Sequence, residues 1–164
     1  MAGYMNVESK KKGEFDGDVS QKHHAKWIEL KDLKLPTERP GVNTSPGNVT
    51  NRTTSAVDFT DVEISKYMDA ASPALMTWNI DGATHDVDLE LCRENGVCVL
   101  HIKLYAVILT NYETTCDEEG TVEETIALDY TKIDMDFTTF DKNNEPQSGK
   151  GKSCTYDLEQ AARV

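Results

Sequence analysis

Long apolar runs and an excess of basic residues are both missing from this sequence. The longest unbroken apolar run, Leu104–Leu109, is far shorter than the roughly 20 residues that cross a bilayer, and residues 1–12 lack the apolar core of a signal peptide. The chain carries 17 Lys and Arg against 29 Asp and Glu, a net charge of -12, which repels nucleic acid at long range. We therefore expect no membrane insertion, no signal-peptide export and no nucleic-acid binding.

Cysteine is scarce, and no Cys-x-x-Cys pair occurs. Of the 4 cysteines, Cys92 and Cys98 flank an Asn-Gly dipeptide that is typical of a two-residue hairpin turn. Such a turn places these two side chains on opposite faces of the ribbon, whereas a longer, odd-length loop would bring them together. We predict the two-residue turn and four free thiols, with Cys116 and Cys154 in polar loops.

Motifs for catalysis and metal binding are also lacking. Residues 149–153 end like a phosphate-binding loop, but Pro146 stands where the first glycine is required. His23 and His24 are adjacent, which on a strand points them to opposite faces, and the other histidines stand alone, so no metal-ligand spacing emerges. No nucleophile motif occurs either. We expect no enzymatic activity, no cofactor and no metal site.

The sequence is rich in period-two alternation of apolar and polar residues, which is typical of antiparallel β-strands. In His85–Cys92, Val87, Leu89 and Leu91 alternate with acidic residues, giving one buried and one solvent-exposed face. The other predicted strands are Tyr4–Val7, Trp27–Leu35, Ala56–Tyr67, Val97–Tyr112, Val122–Phe140 and Cys154–Leu158. The predicted fold class is mainly β: a single domain over 1–164, forming a compact antiparallel β-barrel or sandwich with one short α-helix and a long extended loop.

The strand that follows the Asn-Gly turn has an unusual far end. Alternation places Ala106 and Ile108 on the same face as Ile102, while Tyr105, Val107 and Leu109 make the far end apolar on the other face as well. We expect this end to be covered on both sides, by the core or by another subunit.

Two local signals interrupt the strands. The phase of alternation slips near Thr131 and Lys132, which predicts a bulge or bend. Ser72 supplies an N-cap, Pro73 suits a first helical turn and Gly82 offers a stop, which together predict a helix of about two turns.

A long polar segment, Pro36–Ser55, separates two of the predicted strands. It holds three of the 5 prolines and almost no apolar residues. Connections of this length in compact domains are usually functional or disordered. The segment also contains glycosylation sequons, which we interpret as chance composition because no secretory signal is present.

Three segments carry a family resemblance, in the same order along nearly the whole chain. His24–Leu30 looks like an early strand with the pattern His-x-x-Trp-Ile-Glu. Phe59–Leu75 is similar to a strand, a Lys-x-x-Asp turn and a capped helix, and Glu124–Ile133 resembles a later strand. The family is that of the haemolysin-coregulated proteins (Hcp) of bacterial type VI secretion. The chain departs from the family pattern in lacking a glycine-dense middle loop and in ending with Thr155–Leu158 where a Gly-Trp-Asn-Leu type strand is frequent.

The resemblance implies a structural tube subunit. Six copies would close into a homohexameric ring, and the rings would stack into a tube inside a contractile sheath, below a trimeric spike protein. Effector proteins would be carried or chaperoned in the lumen. The resemblance further implies assembly in the bacterial cytoplasm, followed by secretion to the outside without a cleaved signal peptide.

Under this interpretation the long loop bridges neighbouring rings, and the doubly apolar strand end is part of the subunit interface. The predicted ring-stacking residues are Pro36, Arg39, Pro40, Asn43, Pro46, Asn48, Asn51 and Arg52. The predicted interface residues are Tyr105, Val107 and Leu109. The main alternative is a monomeric β-sandwich binding or adhesin-like module that recognises a ligand through the loop at 36–55. A hydrolase with a pocket that the sequence does not reveal is the third hypothesis.

Overall fold

The computed structural model describes residues 1–38, 57–147 and 151–163. Within these ranges it contains one helix, α1 (Ser72–Asp81), and twelve strands. The strands are β1 (Ala2–Val7), β2 (Ile28–Leu30), β3 (Asp32–Lys34), β4 (Thr37–Glu38), β5 (Asp58–Phe59), β6 (Val62–Tyr67), β7 (His85–Cys92), β8 (Cys98–Cys116), β9 (Val122–Asp129), β10 (Lys132–Phe137), β11 (Lys152–Asp157) and β12 (Ala162–Arg163).

The strands form two antiparallel sheets and a two-stranded ribbon. The first sheet has the order β12-β11-β10-β8-β7-β1-β2, the second has the order β3-β6-β9-β8, and β4 pairs with β5 in the ribbon. β8 belongs to both sheets. The run from β2 to β3 also passes from the first sheet to the second, and on the way the Lys31 backbone N–H donates to the Ser65 carbonyl at 2.8 Å. The sheets therefore form a sandwich joined at two corners, which confirms the predicted mainly-β class with one short helix.

β8 changes sheets at a bulge centred on Ala106. This residue has a left-handed backbone (φ 48°), and the register against β7 shifts opposite it. The inserted residue reverses the phase of alternation, so that Ala106 and Ile108 are exposed while Val107 and Leu109 are buried. The expectation that Ala106 and Ile108 continue the face of Ile102 is therefore wrong, because uninterrupted alternation takes no account of a bulge.

The bend predicted near Thr131 is confirmed. β9 ends at Asp129 in the second sheet and β10 begins at Lys132 in the first. Between them, the Thr131 backbone N–H donates to the Tyr105 carbonyl at 3.1 Å, next to the bulge in β8. Both segments thus cross between the sheets at one corner.

The core lies between the sheets and beneath α1. Its largest fully buried apolar side chains are those of Trp78, Met5, Ile28, Ile64, Leu75, Leu89, Ile102, Leu104, Leu109, Ile126 and Leu128. Burying side chains of this size stabilises a fold by about 1.5–3 kcal/mol each. The core therefore draws on both sheets and on the helix.

The helix α1 ends before Gly82 as predicted, but its 10 residues make nearly three turns instead of two, and its N-cap differs from the prediction. The N-cap position is Ala71, which provides no side-chain capping bond, and Ser72 is the first helical residue. The Ser72 hydroxyl is instead turned inward, towards buried charged groups. At the other end, Gly82 adopts the left-handed conformation (φ 63°) that its lack of a side chain permits, and its N–H donates to the Trp78 carbonyl at 3.0 Å.

The hairpin between β7 and β8 corrects the cysteine prediction. The Arg93 backbone N–H donates to the Val97 carbonyl at 2.9 Å, and the Arg93 carbonyl accepts from the Gly96 N–H at 2.8 Å. Gly96 is left-handed (φ 80°), so the loop has three residues and not two. An odd-length loop places Cys92 directly opposite Cys98, and the two form a disulfide with Cα atoms 3.9 Å apart. The prediction of four free thiols is therefore wrong for this pair. The other two cysteines are free and exposed.

Candidate functional site

A buried ionic network fixes the start of α1 to the second sheet. Lys66 on β6 lies directly opposite Glu124 on β9, and both side chains are fully buried. The Lys66 ammonium donates to Glu124 Oε2 at 2.7 Å and to the Ser72 hydroxyl at 3.1 Å, and it pairs with Asp69 Oδ1 at 2.9 Å. Ser72 and Tyr112 also donate to the Glu124 carboxylate. The Glu124 carboxylate therefore links the helix to the sheet, because it contacts Ser72 on α1 as well as Lys66 and Tyr112 on the strands.

The pKa values in this network reflect those contacts. Burial alone would raise the pKa of Glu124, but hydrogen bonds from Lys66, Tyr112 and Ser72 lower it below the ordinary value. Burial, together with the hydrogen bond to Glu124, raises the pKa of Tyr112 to about 12. The network thus keeps the carboxylate ionised and the phenol neutral at physiological pH.

The opposite face of α1 carries exposed apolar side chains. Met76 and Ile80 lie one helical turn apart and are 53% and 72% exposed. Tyr67 and Met68, just before the helix, are also more than half exposed. A helix that is fixed on one side and exposes two large apolar side chains elsewhere presents a firm surface for a partner. We call Met76 and Ile80 the α1 outer face.

The predicted interface residues on β8 lie in different environments. Val107 and Leu109 are buried in the core of the subunit, so the side chain that this strand end directs outward is that of Ile108. Tyr105 is half-buried, and its hydroxyl donates to Asp134 Oδ2 at 2.6 Å, a bond that raises the pKa of Tyr105 to about 12. A role for this strand end in an interface stays a prediction.

Of the predicted ring-stacking residues, the structure describes Pro36. Its carbonyl accepts a hydrogen bond from the Thr60 hydroxyl at 3.1 Å. Arg39, Pro40, Asn43, Pro46, Asn48, Asn51 and Arg52 lie outside the described residues. The ribbon of β4 and β5 leads into this segment, and Phe59 on the ribbon stacks on Tyr156 with ring centroids 4.5 Å apart.

The structure also assembles a group of side chains that sequence reasoning missed. His24, Glu90, Cys92 and Cys98 place one potential metal-ligand atom each within 4.8 Å of one another. The signal in the sequence was the pair of cysteines that bracket one turn, and the two-residue turn assumption concealed it. Nothing in the sequence indicated that His24, more than sixty residues earlier, would join them.

The fold and its surfaces define a class of protein: a two-sheet antiparallel sandwich with one docked helix, as found in solved type VI secretion proteins. A structure described as that of a type six secretion system protein matches with a TM-score of 0.87 and 19% identity, covering 99% of each chain. Hcp1 from Salmonella typhimurium matches with a TM-score of 0.75 and 17% identity over 100% of each chain. A type VI secretion effector from Yersinia pestis matches with a TM-score of 0.73 and 19% identity, covering 94% of this chain and 98% of that one.

The family follows from the sequence itself. The model of the family described as "Type VI secretion system effector, Hcp" matches residues 4–137, so the chain belongs to the Hcp family. Hcp proteins are structural tube subunits of type VI secretion that self-assemble into rings and are secreted by that system. No curated protein sequence matches the chain. Across the part of the chain that the structure describes, no helix has both the length and the apolar character needed to span a membrane.

Proposed function

We propose that this chain forms a homohexameric ring, and that such rings stack into the inner tube of a type VI secretion machine, below a spike protein and inside a sheath. Effector proteins are carried or chaperoned in the lumen of the tube. Assembly takes place in the bacterial cytoplasm, before secretion. The observation that carries the proposal is the α1 outer face, an exposed apolar helix surface in a chain whose family self-assembles.

The α1 outer face suits a contact between unlike surfaces of neighbouring copies. Burying an exposed Met or Ile side chain yields roughly 1.5–3 kcal/mol, and Met76 and Ile80 project from the same side of the helix. In a head-to-tail contact the helix meets a different surface on its neighbour, and repetition of such a contact closes into a ring when the rotation allows it. The buried network at Lys66 holds the helix in place, so little order has to be gained on assembly.

Ring formation is tested by the molecular mass of the purified chain in solution. We expect light scattering after size exclusion to give about six times 18.3 kDa. A monomer at micromolar concentration, in both low and moderate salt, would favour the monomeric binding module and contradict the proposal.

The loop at 36–55 serves ring stacking in this proposal, separately from ring formation. The ribbon of β4 and β5, at the base of this loop, is separate from the strands of the two sheets. Residues 36–55 are also too polar to belong to the core. Such a segment can meet the next ring without being part of the subunit's own packing.

Replacing residues 39–55 with a short Gly-Ser linker should leave β-rich folding and the hexamer unchanged and abolish tubes. A change of loop length alters the closure free energy by only about 1 kcal/mol. Circular dichroism and a sizing column monitor the fold and the ring, while electron microscopy monitors the tubes. Tubes of normal length, or monomers in place of rings, would refute the assignment of the loop to stacking.

A further inference from the structure

We propose that Cys92 and Cys98, when reduced, bind a Zn²⁺ ion together with His24 and Glu90. This site lies at the β7–β8 hairpin and is distinct from the α1 outer face and from the stacking loop. It revises the sequence-based expectation that no metal site is present.

The distances from the His24 imidazole to the two sulfur atoms suit a small tetrahedral ion. His24 Nε2 lies 3.8 Å from Cys92 Sγ and 3.8 Å from Cys98 Sγ. Glu90 Oε2 lies 2.7 Å from His24 Nε2 and 3.0 Å from Cys98 Sγ. Zinc bonds of about 2.0–2.3 Å in a tetrahedron place neighbouring ligand atoms about 3.3–3.8 Å apart. The imidazole is thus close to the required separation from both sulfurs and the carboxylate needs only a small outward shift. The two sulfur atoms, which are bonded to each other here, move apart when the disulfide is reduced.

The chemistry of the set favours zinc over other common divalent ions. Two thiolates and an imidazole are soft or borderline ligands, which Mg²⁺ and Ca²⁺ do not favour. A purely structural hydrogen bond between His24 and Glu90 would not require two sulfur atoms beside it, whereas a zinc site would. Cys92 and His24 are at most 2% exposed, so water competes little for the ion, while the partly exposed Glu90 and Cys98 leave a route of entry.

The imidazole is oriented by groups around it, as in protein metal sites. His24 Nδ1 lies 3.1 Å from the Gln21 side-chain oxygen, which can accept a hydrogen bond from Nδ1–H, so that Nε2, now hydrogen-bonded to Glu90, is the nitrogen that binds the metal. The ring stacks on Tyr4 with centroids 4.3 Å apart and meets the edge of Trp27 at 4.9 Å. These contacts hold Nε2 towards the sulfur atoms before any ion binds.

The disulfide and the metal compete for the same two sulfur atoms. While Cys92 and Cys98 are bonded to each other, neither sulfur is a thiolate, so the site requires reduction. A phosphine supplies the two electrons: it is converted to its oxide with oxygen from water, and the disulfide becomes two thiols. Each thiol then gives up its proton on binding zinc, so affinity should fall with falling pH.

The test uses the full chain under anaerobic conditions, with and without phosphine reduction. Before reduction we expect two titratable thiols in denaturant and no bound zinc. After reduction we expect four thiols and one zinc per chain, measured by elemental analysis after removal of free metal. Cobalt in place of zinc should give sulfur-to-metal charge-transfer bands and the visible bands of a tetrahedral site.

Matched variants separate this site from stray coordination. Cys92→Ser and Cys98→Ser should each abolish stoichiometric zinc binding, whereas Cys116→Ser and Cys154→Ser, which remove the exposed cysteines, should leave it unchanged. Gln21→Ala should weaken zinc binding about 10–100-fold by releasing the imidazole, without removing any ligand. Circular dichroism confirms that each variant is folded. A reduced, folded chain that binds no zinc, or zinc retained when both Cys92 and Cys98 are serine, would overturn the proposal.

Discussion

Lys66→Met should lower the free energy of unfolding by about 3–5 kcal/mol at neutral pH, because it leaves the Glu124 carboxylate buried without a cation. Adding Glu124→Gln to this variant should restore at least half of the loss, since the amide keeps partners in Ser72 and Tyr112 but carries no charge. Urea unfolding followed by circular dichroism measures both effects.

A neighbouring surface pair provides the control. Lys31 also pairs with a glutamate, Glu123, but both side chains are more than a third exposed, so Lys31→Met should change stability little. If Lys66→Met and Lys31→Met cost the same, or if the double variant is less stable than Lys66→Met alone, the buried pair does not act as described.

The loss in Lys66→Met should depend on pH in a defined direction. In the native protein the pKa of Glu124 is lowered, so its contribution to stability is present above the ordinary glutamate pKa and disappears as the pH falls through the lowered value. Without Lys66 the leading cause of that lowering is gone, and protonation of the carboxyl at acid pH removes its unpaired charge. The difference between variant and parent should therefore shrink as the pH falls from the pKa of Glu124 in the variant to its lower pKa in the parent. A difference that is constant from neutral to acid pH would contradict this account.

The double variant Met76→Glu with Ile80→Glu should prevent ring formation and leave the subunit folded. Both side chains are exposed on α1, so two carboxylates there cost the monomer little. In a ring they would be buried against a neighbour without a cation, which is strongly unfavourable. We expect light scattering to change from about six subunits to one, with the circular dichroism spectrum and the unfolding midpoint nearly unchanged.

Thr77→Glu is the matched control for this variant. It adds a carboxylate to an exposed position of the same helix, between the two substituted residues, but removes no large apolar side chain. The ring should survive it. Persistence of the ring in the double variant would place the subunit contact elsewhere, and loss of the ring in Thr77→Glu would show that its effect is not specific to Met76 and Ile80.

Much of the fold was predictable because the alternation of residues is regular. The bounds of β7 match the prediction residue for residue, and the stop at Gly82 follows from its conformational freedom. The failures come from single inserted residues: the bulge at Ala106 and the odd-length loop before Cys98 each shift the phase by one. A one-residue shift leaves the composition of a strand unchanged, so the sequence contains little sign of it.

The buried ionic network at Lys66 shows a second limit of prediction from sequence. Alternation in β6 places Lys66 in phase with Val62 and Ile64, and in β9 it places Glu124 in phase with Ile126, so each charged residue lies on a core-facing position. The pairing of Lys66 with Glu124 follows only from the register of β6 against β9, and this register depends on contacts between residues far apart in the sequence. The metal-ligand group is similar, because His24 reaches the hairpin only through the tertiary fold.

The two corners at which the chain passes from one sheet to the other also affect how the molecule unfolds. A strand shared by both sheets cannot separate from one of them without disturbing its pairing in the other, and the run from β2 to β3 imposes the same constraint at the second corner. We therefore expect the amide protons of the two sheets to exchange with solvent through a single cooperative opening, and those of the short ribbon of β4 and β5 to exchange through a separate, local one. Under load, the two sheets should then unfold as one mechanical unit, after the ribbon has opened.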